Sequence, residues 1–391
     1  MKATLSFLLC TIALAACGSD ESNGGNAPAT GGGGAGGSGG SVAGQMGGGI
    51  GGVAGMAGAG SGGGGSGGMS SSPDDAGAMT GGSGGAGGMA GGPPGDAGDA
   101  DAGGSGGTGG MAPMRACADD AEYPAPVAGE VTEDVCGDFE FAYPYNEGPT
   151  WIASEGAFFF TNFERGAAES GDIIKYTHGV GCEIFVDGVG CNGLAVSNDG
   201  NLLAACHQTR SVEKIDVATE APTTIADMFM GELLDTPNDL VQHSNGGIYF
   251  TNPTYELDGR PEGTGTAILW LDPAGVLHRL EPTGNPNGIA LSPDESALFV
   301  VGSGRWDIAP DGTPSNHQAA GLSGDGVAMD CAGNLYTSGG TIRDAAGTSL
   351  GNFPGGTNLA FGGDDGRTLL VVHGYDPTSV RTVQMNLPGL P

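Results

Sequence analysis

From about residue 147 onward, hydrophobic and polar positions recur in one order. A carboxylate or carboxamide comes first, usually followed by glycine. A short alternating run, a polar turn and a second alternating run complete the unit. The clearest copy is Asn287-Gly-Ile-Ala-Leu-Ser-Pro-Asp-Glu-Ser-Ala-Leu-Phe-Val-Val301. Ile289 and Leu291 alternate with smaller residues, residues 292–296 carry turn chemistry, and Leu298 and Val300 alternate again. Five more copies follow the same order. Glu147-Gly-Pro-Thr-Trp151 turns at 153–156 and returns through Phe158 and Phe160. Asn192-Gly-Leu-Ala-Val196 turns at 197–200 and returns through Leu202. Asn238-Asp-Leu-Val241 turns at 243–247 and returns through Ile248 and Phe250. Asp325-Gly-Val-Ala-Met329 turns at 330–333 and returns through Leu335. Asn358-Leu-Ala-Phe361 turns at 362–366 and returns through Leu369 and Val371. Hairpins repeated every ~33–50 residues, with room for further strands in each unit, predict an all-β fold, a six-bladed β-propeller.

Further strands fit between the hairpins. Ile173-Ile-Lys-Tyr176, Val212-Glu-Lys-Ile215 and Ile268-Leu-Trp-Leu271 read as third strands, and Glu183-Ile-Phe-Val186 and Leu277-His-Arg-Leu280 as outer edges. The last two repeats are shorter, so their outer strands are weakly marked. Residues 225–234 carry apolar positions at loosely helical spacing and suit a loop or a one-turn helix. Before the first repeat, Phe139, Phe141, Tyr143 and Tyr145 alternate at strand period. They suit a strand that completes the last blade and closes the ring, or a flap over its mouth. Trp151 reads as core, as do Trp270 and Trp306. Tyr255 and Trp306 lie in or near longer connections and also suit a pocket lining.

Composition separates the propeller from what precedes it. Of 391 residues 82 are glycine, and most of that excess lies before Arg115. Residues 18–115 are Gly, Ser and Ala with scattered Met and Asp; such a segment cannot bury enough apolar surface to order itself and is expected to be a disordered tether. The domain is expected over residues 116–391. Residues 1–17 read as an export signal: Lys2, an apolar run over residues 5–14, then Leu14-Ala15-Ala16-Cys17. Small residues before a cysteine resemble a bacterial lipobox, with Cys17 the lipidated residue of an exported bacterial lipoprotein facing the periplasm or the cell surface. No later segment reaches the ~20 apolar residues of a membrane span, so lipid would be the only anchor.

Lys and Arg number 12 against 45 Asp and Glu, a formal charge of −33. Nucleic acid is excluded as a partner by this balance, because the cations that neutralise phosphates are missing. The domain is expected to act as a monomer. Export permits disulfides. Besides Cys10 and Cys17 there are Cys117, Cys136, Cys182, Cys191, Cys206 and Cys331. Nearness in sequence suggests Cys117 with Cys136 and Cys182 with Cys191, leaving Cys206 and Cys331 free, although six cysteines allow 15 connectivities.

The heads of the six copies carry the chemistry: Glu147, Asn192, Asn238, Asn287, Asp325 and Asn358. Each precedes what should be the innermost strand of its blade. Radial repetition would place them at one mouth of a shared axis, and a ring of side-chain oxygens there suits a hard cation. Hydrolase signatures of other kinds are absent: there is no Gly-x-Ser-x-Gly in a strand-turn-helix setting and no phosphate loop.

These residues, together with Pro237-Asn-Asp239, Ile248-Tyr-Phe-Thr251 and Asn358-Leu-Ala-Phe-Gly-Gly363, resemble the senescence-marker-protein, gluconolactonase and luciferin-regenerating-enzyme family. The resemblance spans about residues 145–372. It implies one divalent cation in the central channel, usually calcium, with magnesium, manganese and zinc also open. It further implies hydrolysis of a small-molecule lactone or similar cyclic ester. Residue by residue, Glu147, Asn287 and Asp325 match the family's metal ligands, and Asn238 the polar residue beside the metal that contacts substrate and takes part in catalysis. Asp325 could double as general base. His207 follows the second strand of its blade and is a candidate for substrate contact; Asn192 and Asn358 suit outer roles, and Asp239 a turn or supporting role. The chain departs from the family at Asn252, where many bacterial members carry Asp. Gly324 stands where proline is common, and Cys206-His207 lacks an intervening Glu. No arginine is matched to the one that some sugar lactonases use for substrate hydroxyls. A metal-stabilised binding module without catalysis is the rival expectation.

Overall fold

Phe158, Phe159 and Phe160 are consecutive and all buried, and they do not share a core. Successive side chains of a strand point to opposite faces. Phe158 and Phe160 pack with Leu370 and Val372, while Phe159 packs with Leu194, Leu202 and Ile215. One strand therefore serves two cores, one on each side of its sheet. In the computed structural model, which describes residue 117 and residues 122–165, 170–374 and 379–391, this arrangement repeats around a ring. The expected signal peptide (1–17), its lipidation site Cys17 and the linker (18–115) lie outside the described residues.

Among the described residues six four-stranded antiparallel sheets are formed. Their innermost strands are Tyr145–Ile152, Cys191–Val196, Leu240–Gln242, Ile289–Leu291, Val327–Met329 and Asn358–Gly362. Each touches the next, and the last touches the first, so the blades close a circle. Six apolar clusters fill the six interfaces between neighbouring blades. Full burial of one large apolar side chain is worth about 1.5–3 kcal/mol, so stability is spread over the interfaces and depends on closure. Trp151, Trp270 and Trp306 all belong to these clusters, and Trp306 is not among the residues that line the axial cavity.

Four sequence expectations need correction. The strand that closes the ring is Ala128–Thr132, which pairs with Arg381–Met385 as the outermost strand of blade 6, with Val131 opposite Val383. Phe139 and Phe141 lie in irregular chain after the turn at 135–138 and pack edge-on against each other and onto the interface between blades 6 and 1. Their alternation reports burial without strand pairing. Residues 225–234 form no helix; they end a strand and then fold as the hairpin Met228–Phe229 with Glu232–Leu233. The disulfides are Cys117–Cys331, Cys136–Cys182 and Cys191–Cys206, not the sequence-adjacent pairs, and Cys206 and Cys331 are both bonded. Folding brings Cys136 against the outer strand of blade 1, where Cys182 lies, and sets Cys191 directly across a hairpin from Cys206.

Candidate metal centre and its cavity

The glycine after four of the six heads explains how the heads meet. A Cβ on Gly193 would lie 2.5 Å from the Asn238 carbonyl oxygen, and one on Gly288 2.5 Å from that of Asp325. Gly148 and Gly326 are crowded in the same way by Asn192 and Asn358. The Gly193 and Gly288 amides donate to those carbonyls at 2.7 and 2.9 Å. Every one of these glycines thus presses on the head of the following blade. The Asn-Gly and Asp-Gly pairs are contacts of a narrow ring as well as turn elements.

That ring floors a cavity of about 580 Å³, lined by Glu147, Asn192, Asn238, Asn287 and Asp325 together with Tyr145, Arg165, Tyr255, Glu256 and Ser338. The sixth head, Asn358, lies lower. With Asp239 it lines the channel beneath, whose far end holds Leu390 and Pro391. His207 does not line the cavity. It is 5 % exposed and stands behind Glu256, Nδ1 to Oε2 3.1 Å, with its ring edge-on to Phe163. The structure thus sets His207 behind the wall, with Glu256 between it and the cavity. The loop after the second strand of blade 3 folds over His207, and Arg260 of that loop donates to its carbonyl at 2.7 Å.

Electrostatics single out the axis. Burial holds the Glu147 carboxyl well above the usual carboxylate range, and the neighbouring charge of Asp325 adds to this; the Asn358 amide opposes it. Asp325 is also raised by burial, against donation from Asn287, the charge of Arg165 and donation from the Tyr145 hydroxyl. Two carboxyls are thus packed together where their negative charge is penalised. Glu256 is pushed up to about 7 by burial, against the pull of Arg165, whose Nε lies 3.5 Å from Oε1. Burial and then Arg260 push the His207 imidazole down to about 3, so its contact with Glu256 is made by a neutral ring. Asp239, below, is pushed up to about 7 by burial.

A divalent cation fits this donor set. Its members are carboxylate and carboxamide oxygens, the ligands of hard ions. A dication among Glu147 and Asp325 would reverse the penalty that burial imposes on their charge. Among the described residues no group of three or more His, Cys, Asp or Glu side chains gathers as a metal cluster, since only two of the converging heads on the cavity wall are acidic.

Residues 145–374 match the family described as the SMP-30/gluconolactonase/LRE-like region, which covers more than half of the chain. The chain belongs to this family. A relative named gluconolactonase, from Zymomonas mobilis, is 29 % identical over 285 residues, 61 % of this chain and 78 % of that protein. A gluconolactonase structure from Xanthomonas campestris shares the fold at TM-score 0.57 and 23 % identity, over 68 % of this chain and 96 % of that one. A calcium-binding protein, regucalcin, from Agrobacterium tumefaciens aligns at TM-score 0.51 and 20 % identity, over 63 % and 91 %.

Measured against this SMP-30/gluconolactonase/LRE-like family, the chain's departures fall mostly outside the cavity wall. Asn252 is fully buried; its Oδ1 accepts the Asp235 amide at 2.8 Å and its Nδ2 donates to the Gly265 carbonyl at 3.2 Å. Cys206 is held in a disulfide. Gly324 does line the cavity, with φ of 129°, a backbone that proline cannot adopt. Arg165 and Glu256 escaped sequence reasoning. Both follow the second strand of a blade, and those connections open on the same face as the heads. A cation at such a position, in a chain with only 12 Lys and Arg, was the available signal.

Proposed function

We propose that the domain is a metal-dependent hydrolase that opens lactone rings, with sugar-type lactones as the substrate class. The observation that carries this is the convergence of Glu147, Asn238, Asn287 and Asp325 on one axial cavity in a chain of this family. The gluconolactonase name of the Zymomonas mobilis relative supports the same reaction class. Glu147, Asn287 and Asp325 would hold the cation, with Asn238 at its edge. Calcium is favoured by the oxygen donors and by the calcium-binding regucalcin of the same fold. When bound, the ion would polarise the lactone carbonyl and acidify water beside it.

The chain's own groups account for the remaining steps. Asn238 orients the carbonyl or the attacking water through its amide. Asp325 takes a proton from that water as its oxygen bonds to the carbonyl carbon. The ring C–O bond then breaks, and the proton passes to the departing alkoxide, giving a hydroxy acid. Glu256, pushed up to about 7, retains much of its proton at neutral pH and can donate to a substrate oxygen, while Arg165 offers further donors at the rim. The test is turnover of a small panel of γ- and δ-lactones with and without chelator. Chelator and Asp325→Ala should each abolish hydrolysis; full turnover in chelated protein would rule the reading out. The rival binding module drew its support from Asn252, from Cys206-His207 and from the absence of a matched arginine; the first two lie off the cavity wall, and Arg165 places a guanidinium on it.

We also propose export and lipidation at Cys17. The three disulfides favour an oxidising compartment. Cys17→Ser should abolish incorporation of labelled fatty acid in a bacterial host; unchanged labelling would count against it.

A further inference from the structure

We propose that Tyr145 is the positioning residue of the metal centre: its hydroxyl fixes Asp325 while its ring face carries Arg165. Tyr145 opens the innermost strand of blade 1, two residues before Glu147, and is 4 % exposed. Its hydroxyl donates to Asp325 Oδ2 at 3.4 Å, reaching from blade 1 to blade 5. One carboxylate oxygen is thereby occupied on one side, leaving the rest of the carboxylate directed into the cavity. The same aspartate is anchored through its main chain, whose N–H donates to Ser338 Oγ at 2.7 Å.

The ring is seated as carefully as the hydroxyl. Phe163, directly opposite on the next strand, lies 5.5 Å away centroid to centroid. Gly374 pairs with the Tyr145 backbone, and any Cβ at position 374 would collide with the ring. Asn162 Nδ2 donates to the Tyr145 carbonyl at 3.2 Å. Over the ring face sits the Arg165 guanidinium, 5.4 Å from the centroid, and Arg165 in turn reaches Glu256. A single wedged phenol therefore ties together a candidate ligand, a cation of the cavity wall and, through that cation, the carboxyl of Glu256. Removing the hydroxyl frees Asp325 to rotate. Groups that orient a metal ligand typically contribute ten- to a hundredfold in metal affinity.

This inference rests on the reading of Asp325 as a ligand, and the experiment separates the two. Calcium is titrated calorimetrically into the purified, disulfide-intact chain and its variants, and the melting temperature of each metal-free protein is recorded. Tyr145→Phe keeps the ring and its seat, so the metal-free melting temperature should hold while Kd rises about tenfold. Gly374→Ala, which displaces the ring, should weaken calcium binding at least as much. Asp325→Ala should abolish it. Binding by the wild type that is lost in Asp325→Ala but unchanged in Tyr145→Phe overturns the role of Tyr145 alone. Absence of divalent-ion binding by the wild type overturns both.

Discussion

Single residues in this site are best distinguished by what burial does to their charge. Glu256 is a carboxyl whose folded pKa is raised from 4.5 to about 7. The folded protein therefore holds this proton across a window in which the unfolded chain has released it. Stability supplied by that proton is present below about pH 4.5 and is lost as pH rises towards 7. The metal-free domain should accordingly melt at lower temperature at pH 7.5 than at pH 5, and Glu256→Gln should flatten part of that slope. A slope unchanged in the variant would show that Glu256 does not titrate as described. Asn252 makes the opposite case. Its Nδ2 lies 3.3 Å from Asp235 Oδ2, a carboxylate that is fully buried and paired with Arg210. Asn252→Asp moves the chain towards the bacterial family pattern. It nevertheless removes a donor and sets two carboxylates together, and should cost about 1–3 kcal/mol in chemical denaturation. At this scale sequence reasoning found the heads, because each begins a recognisable hairpin. It could not see Arg165, Tyr145 and Glu256 as neighbours, because Tyr145 opens an inner strand, Arg165 follows the second strand of the same blade and Glu256 comes from the connection of blade 3, and only the closed ring brings them to one cavity.

Among the elements, the inner hairpins were legible and their surroundings less so. Period-2 alternation bounded by turn residues marks a strand pair that is buried on both faces, as in Leu202–Cys206, where every residue is buried. The closing strand Ala128–Thr132 carries one large apolar side chain, Val131, and its other positions are half-buried or exposed, so it left almost no pattern to read. Phe139 and Phe141 supplied a stronger alternation nearby and drew the assignment away. The Cys191–Cys206 pairing depends on a register shift: Val196 faces Leu202 and Leu194 faces Ala204, a register that would set Cys191 opposite His207, and the irregularity between Cys191 and Leu194 brings Cys206 across instead. Spacing along the chain misled because cross-strand distance, not sequence distance, governs pairing in a sheet. The ring contact also gives an element-scale prediction. Gly193→Ala forces a Cβ against the Asn238 carbonyl and the Asp239 side chain, both within 2.7 Å. It should destabilise the fold by about 1–3 kcal/mol and weaken calcium binding by shifting Asn238, both measurable on one preparation.

For the molecule as a whole, closure governs stability. Cys117–Cys331 spans 214 residues and ties the segment before the closing strand to blade 5. A loop of that length is worth about 5 kcal/mol in the chain-entropy description. Cys117→Ser with Cys331→Ser should lower the melting temperature by several degrees, with lactone turnover at low temperature largely intact because neither residue lines the cavity. Equal loss of turnover and stability would show that blade 5 carries Asp325 off axis when untied. The pairing of Ala128–Thr132 with Arg381–Met385 has one more consequence. During biosynthesis the first of the described strands to leave the ribosome must wait for the one that leaves last. No truncated nascent chain can complete the circle, so the ring stays open until its last strand has been delivered, and only then snaps shut.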